Sequence, residues 1–375
     1  AYGDGAKPIL QGSAARDQAG EWNEVRPGLW ATQKFEPKLL DQSEDLRGAA
    51  WSKHNEGGAV VRLERMQEEG SAYTRITCEA AGKASNHIQL WGPTVTRLAP
   101  CLVLRLRARS TIPFTLESVR AIRNTAPYTT ALAGHTRIKI DATWQTFDVV
   151  LMMHQAVEAP RLHINLGDIL PAGAVFDFET FGLWEASVAH CTPIHLDVGI
   201  LILNHGEKWG VKKWSLEEVK APLDYWYDPE GKRLYLASAA NPATAFSSVE
   251  LALTRHIVNQ GGKHDITYDG LAIRYGAAHG FGGGSTRRIT IRNCDLSWIG
   301  GGLQYWKKRE NGTRYPVRFG NAIEFWGGAS DHLVERNRIW EVYDAALTNQ
   351  GNGDDSHQIN ITYRDNVIWN SEYSF

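Results

Sequence analysis

"DITYDGLAIRYGAAHGF" (265–281), "ITIRNCDLSWIG" (289–300), "LVERNRIWEVYDAAL" (333–347) and "ITYRDNVIWNSEYSF" (361–375) share one phrase. Each passes through a short β-rich run, a polar or small residue (Gly270, Asn293, Asn337, Asn366) and an apolar run that breaks into a turn. These anchors lie 23, 44 and 29 residues apart. Treating the charged stretch 303–318 as an insertion brings the middle spacing to roughly 24–28. A period of about 20–30 residues assembled from strand-sized pieces is what a coiled solenoid produces, one turn per repeat. Asparagine at an inward bend suits such a coil, because stacked amides hydrogen-bond to the turns above and below. The phrase predicts an all-β chain with a parallel β-helix through its last third.

Outward from it, the texture changes. Between about 40 and 190, strand-length alternations follow one another: "GAVVRLERM" (58–66), "AYTRITCEA" (72–80), "CLVLRLRARS" (101–110), "FTLESVRAI" (114–122), "TRIKI" (136–140), "WQTFDVVLMM" (144–153), "RLHINLG" (161–167) and "AVFDFETFGLWEA" (174–186). Half-buried antiparallel strands alternate in this way, and eight of them predict a β-sandwich or jelly roll. After Cys191 the β-helix texture returns. "DYWYDPEGKRLYLAS" (224–238) reads as a hairpin turning on Asp-Pro-Glu-Gly, and the one helix-like stretch is Leu216–Lys220. Residues 1–35 read as broken β-structure.

Composition bounds the function. A net charge of −2 gives no reason to expect a polyanion such as nucleic acid as partner. No apolar run reaches the ~18 residues of a membrane span. Fourteen Trp, 13 Tyr and 11 Phe exceed what a plain core requires. Cys78, Cys101, Cys191 and Cys294 lack metal-type spacing and read as small core residues, with room for one disulfide. The chain opens at Ala1 without Met or export signal and stops inside a repeat, which predicts a fragment lacking both ends of a longer, secreted or cell-surface protein.

Residues 101–186, with "LRLRARS", "TWQTFDV", "INLG" and "VFDFETFGLW", resemble carbohydrate-binding modules of the family 4/9 type. The flanking parts, with "AYGDGAKPIL" near the start and the 224–238 hairpin before the repeats, resemble right-handed parallel β-helix proteins of the pectin-lyase-like superfamily. The resemblance implies a discontinuous β-helix domain (1–38 and 192–375) interrupted by a β-sandwich module (39–191). It also implies carbohydrate binding and polysaccharide processing. It names no reaction, since one fold hosts many.

In a β-helix, adjacent turns lie about 4.8 Å apart, so matching positions form a column. The turn after each second strand brings up His279, Asn321, Asp344 and Glu372. Stacked on adjacent turns, Asp344 and Glu372 would stand about 5 Å apart, as in retaining glycosidases; Glu324 or His279 as partner would suit the wider inverting spacing. Crowded carboxylates push one pKa up and supply an acid. The competing reading is that these groups only satisfy turn amides. The insertion adds Tyr305, Trp306, Lys307, Lys308, Arg309, Arg314, Tyr315 and Arg318, rings for sugar faces and cations for an acidic glycan; an ordinary solvated hairpin is the alternative. Trp326, Trp51 and Trp91 are further sugar contacts, whereas Trp144, at a strand start, reads as core. Asp354 and Asp355 sit side by side as in polygalacturonase-like hydrolases, without that family's companion motifs, and calcium contact is the one metal role they suggest. No other cofactor is expected.

The reading is a secreted glycoside hydrolase working through a carboxylate pair, with the sandwich holding its polymer. A polysaccharide lyase using Lys, Arg or His as base on a uronate polymer is the alternative, and a non-catalytic carbohydrate-binding surface protein the third.

Overall fold

The structure, a computed structural model, describes residues 5–68, 70–188, 197–309, 313–351 and 357–375. It is all-β and divides into two compact units, Ala1–Lys34 with Leu196–Phe375, and Phe35–His195.

In the first unit the chain winds through four turns of three strands. Val258–Asn259, His264–Asp269 and Ala272–Gly276 make the first. Phe281–Gly282, Arg287–Arg292 and Asp295–Ile299 make the second. Ile323–Phe325, Ser330–Glu335 and Arg338–Ala345 form the third, and Leu347–Asn349, Ile359–Arg364 and Val367–Tyr373 the fourth. Each strand pairs in parallel with its counterpart one turn on. Ile273, Leu296, Ile339 and Ile368 fall opposite one another, as do Thr267, Thr290, Leu333 and Thr362. Apolar residues that recur at one position in every turn become a continuous strip, and Ile273, Phe281, Ile291, Leu296, Phe325 and Ile339 form the core of this coil.

The register corrects one reading of the repeat. Arg292 pairs with Glu335 and Asp295 with Arg338, so the counterpart of Asn293 is Arg336 rather than Asn337. Gly270, Asn293, Arg336 and Asp365 share a left-handed backbone, with φ of 68°, 51°, 53° and 56°. They are the bend. The ladder lies one residue later, where Asn337 is fully buried. Its Oδ1 accepts from the Cys294 N–H (2.9 Å), and its Nδ2 donates to the Ile291 carbonyl (3.0 Å) and Asn366 Oδ1 (2.9 Å). A buried amide with every contact satisfied locks the stacking of three turns.

The charged insertion is an antiparallel hairpin, Gly302–Lys308 against Arg314–Phe319, between the second and third turns. Ile9–Gln11 joins in parallel alongside Ala272–Gly276. Asp224–Asp228 and Arg233–Ala237 form the expected hairpin, which pairs on with Leu29–Thr32.

The second unit is a sandwich of antiparallel strands. One layer holds Ser52–Asn55, Ile88–Thr94, Arg161–Asn165, Phe114–Ile122 and Thr130–Ile140. The other holds Gln145–Met153, Cys101–Ser110, Val175–Ala186, Ser71–Ala80 and Val60–Glu68, with Leu39–Asp45 at its side. In "LVLRLRA" the leucines enter the core and the arginines face out, the alternation a half-buried strand imposes. Leu102, Leu104, Leu106, Phe176 and Phe178 pack with Ile88, Leu90, Leu162 and Ile164. Cys78, Cys101 and Cys294 are buried thiols, and Cys191 lies outside the described residues. Among the described residues no helix is long and apolar enough to cross a membrane.

Candidate functional site

One corner of the coil, at the entry to its third turn, gathers the ionisable groups. Asn321 organises it. Its backbone N–H donates to His279 Nδ1 (2.9 Å), its Nδ2 donates to Glu324 Oε2 (2.7 Å), and its Oδ1 accepts from the Ala345 N–H (2.9 Å). With Nδ1 accepting, the His279 proton sits on Nε2, which lies 3.2 Å from Glu324 Oε1. The His279 ring stacks between His256 (4.7 Å) and Phe319 (5.2 Å). Asn321, His279 and Glu324 are all buried.

Burial dominates the electrostatics. It drives the His279 pKa down to about 3, with His256 adding to the effect. The ring is therefore neutral near pH 7, and its contact with Glu324 is a hydrogen bond rather than an ion pair. Burial raises Glu324 to about 6; the Asn321 amide opposes that shift and the Asp344 charge adds to it. Asp344 is half-buried, and its pKa is raised by burial first and by Glu372 second, against hydrogen bonds from the Gly320 and Ala345 backbone. Gly320 (φ +153°) lies against the backbone of Gly300 and leaves no space for a side chain, which lets its N–H reach Asp344. Glu372, exposed, sits on the next turn, where Ser371 pairs with Val342 and Tyr373 with Ala345. Glu324, Asp344 and Glu372 thus share one wall, and two of the three hold protons more tightly than a free carboxylate.

Of the other predicted contacts, Tyr305, Lys307 and Arg309 are exposed on the hairpin, with Arg309 5.0 Å over Tyr315. Trp306 is half-buried, edge-on to Trp214 at 5.7 Å. Trp326 is half-buried just past Ile323–Phe325. The side chains of Arg314 and Lys308, and all of Asp354 and Asp355, lie outside what is described. Among the described residues no group of three or more His, Cys, Asp or Glu could hold a metal ion.

On the sandwich, two tryptophans trade places. Trp51, expected to contact sugar, is 7% exposed within the core, edge-on to Phe178 at 5.1 Å, with its ring filling the space a side chain at Gly92 would need. Trp144, expected in the core, is half-buried on the outward face, with Tyr73 at 5.4 Å and the guanidiniums of Arg107 and Arg109 at 4.6 and 4.7 Å. A start-of-strand position does not say which way a ring turns. The arginines of that face are neutralised: Arg75 and Arg109 on Asp177, Arg107 on Glu179, Arg105 on Asp148. Trp91 lies on the other layer, half-buried against His163 (4.5 Å) and near the exposed Tyr128 (6.1 Å).

No family model and no curated protein matches the chain. Part of it is similar to solved carbohydrate-binding modules. A family 4 module (CBM4) is 22% identical over 44% of this chain and 100% of its own, with a TM-score of 0.30. The N-terminal cellulose-binding domain of Cellulomonas fimi β-1,4-glucanase C is 16% identical over 37% and 90%, with a TM-score of 0.28. The CBM22-1 xylan-binding domain of Paenibacillus barcinonensis Xyn10C is 13% identical over 48% and 97%, with a TM-score of 0.26.

Proposed function

We propose that the protein is a secreted polysaccharide-degrading enzyme, a glycoside hydrolase whose four-turn coil is a right-handed parallel β-helix carrying the reaction and whose sandwich is a carbohydrate-binding module. The observation that carries the hydrolase reading is the corner wall of Glu324, Asp344 and Glu372, with Asp344 and Glu324 raised in pKa. A carboxyl whose pKa is raised keeps its proton to higher pH than a free one and can hand it to a leaving glycosidic oxygen. Asp344, half-buried rather than buried, takes that role. Glu372 on the adjacent turn is the second carboxylate, at a strand spacing of about 5 Å that favours retention of anomeric configuration. Glu324 stands behind, held by His279 and Asn321, and its own pKa is raised further by the Asp344 charge. His279 has both nitrogens engaged, which argues against it as the base of a lyase.

The sandwich would hold the polymer by ring stacking on the half-buried Trp144, or across the opposite layer on Trp91 and Tyr128. Incubation with a panel of neutral and acidic polysaccharides tests the reading. New reducing ends without the ultraviolet absorbance of an unsaturated uronate are expected. That absorbance would make the protein a lyase, and binding without any new ends would make it a non-catalytic binder.

A further inference from the structure

Several arginines are neutralised by carboxylates, Arg292, Arg338 and Arg364 in the coil and Arg105 and Arg107 on the sandwich, whereas Arg274 is held by the Gln11 amide oxygen and the Tyr275 ring. Arg318, on the return strand of the hairpin, makes no ion pair among the described residues, yet it is firmly held. Its guanidinium lies over the Tyr343 ring at 4.5 Å and by the Trp214 ring at 5.7 Å, and its Nε donates to the Gly301 carbonyl at 2.6 Å. It is half-buried. A planar cation fixed by two rings and one carbonyl has already lost its rotamer freedom, so a partner reaching its terminal N–H groups meets a preorganised fork.

The position of this fork is informative. Tyr343 directly precedes Asp344, and Gly320, two residues after Arg318, supplies a backbone hydrogen bond to the Asp344 carboxyl. Arg318 is thus tied through Tyr343 and Gly320 to the segment that carries Asp344, while its charge acts on Lys212 and Tyr225. Guanidinium forks match the two oxygens of a carboxylate or sulfate.

We infer that Arg318 recognises an oxyanion substituent, a carboxylate or a sulfate, on a sugar residue bound next to Asp344. The binding half of this inference stands on Arg318 alone; its placement beside the cleaved bond rests on the hydrolase reading. The exposed Lys307 and Arg309 of the same hairpin add long-range attraction for such a glycan.

The test is equilibrium binding by the full chain carrying Asp344→Asn, so that nothing turns over. The probes are an oligogalacturonide, a sulfated galactan oligosaccharide and a neutral xylo-oligosaccharide of equal length. One anionic probe is expected to bind at least about tenfold more tightly than the neutral one. Arg318→Gln removes that margin and leaves neutral affinity unchanged, and Arg318→Lys restores only part of it, because an ammonium lacks the planar two-point contact. An anionic preference that survives Arg318→Gln, or a neutral probe that binds as tightly as both anionic ones, overturns the inference. Should Arg318→Gln fail to fold, Tyr343→Leu removes half of the clamp and is expected to lower anionic affinity selectively; equal loss for all probes counts against the proposal. Wild-type chain that binds the anionic probe through Arg318 but hydrolyses none would sink the hydrolase reading and leave this one standing.

Discussion

The two units treat charge in opposite ways. On the sandwich face three acids are matched: Asp177 by Arg75 and Arg109, Glu179 by Arg107, Asp148 by Arg105. At the coil corner no Lys or Arg pairs with Glu324 or Asp344 among the described residues, and the charges that act on them are other carboxyls. Matched charges give a rigid surface with little protonation chemistry near neutral pH. Crowded acids withdrawn from water give a proton donor. Under the proposed function, the difference separates the face that holds the polymer from the corner that cleaves it.

Substitutions can break this division. The largest effect expected is at Asp344. Asp344→Asn should lower turnover of a soluble oligosaccharide by about 10²–10⁴-fold, the usual weight of general acid catalysis, while affinity for insoluble polymer stays as it was. Trp51 and Trp144 come next, as a matched pair. Trp51→Ala opens the sandwich core and should cost about 3–5 kcal/mol in denaturant unfolding. Trp144→Ala should barely move stability and should weaken polymer binding without changing kcat on short oligosaccharides. If Trp51→Ala were the milder change, the assignment of core and face would be inverted. Asn337→Ala should cost about 1–3 kcal/mol by leaving the Cys294 N–H and the Ile291 carbonyl without their partner, and should lower the melting of the coil while sparing the sandwich.

The smallest effect is a slope with pH. Burial drives His279 to about 3 and His332 and His163 to about 4, so in the fold all three favour the neutral ring. A lowered histidine pKa leaves its stability contribution complete above the unfolded value of 6.5, and that contribution is lost as pH falls toward 4. Thermal melting should therefore fall through that window, and His332→Gln should flatten the slope.

Much of the coil was legible because its period is local. The β-run, bend and apolar run recur within each repeat, and columns follow from stacking. The anchors slipped by one residue, since the hairpin makes the third repeat 43 residues long by register and an Asn follows the bend there instead of occupying it. The sandwich strands that alternate were readable, whereas Leu39–Asp45, a mostly exposed "LLDQSED", carries no inward pattern. His279, Asn321, Asp344 and Glu372 were named from turn position, Glu324 as an alternative partner and Arg318 as one cation of the insertion. That Asn321 ties three of those segments together, and that Arg318 is clamped between rings distant in sequence, depends on contacts that no local pattern announces.

The contrast between matched and crowded charge comes down to the protonation of Glu324. Isotope-edited infrared titration, as the difference between wild type and Glu324→Gln, reads that carboxyl directly. The account predicts a protonated carboxyl band at pH 5 that disappears with a midpoint near 6. A Glu324 already ionised at its ordinary value of 4.5 would contradict it.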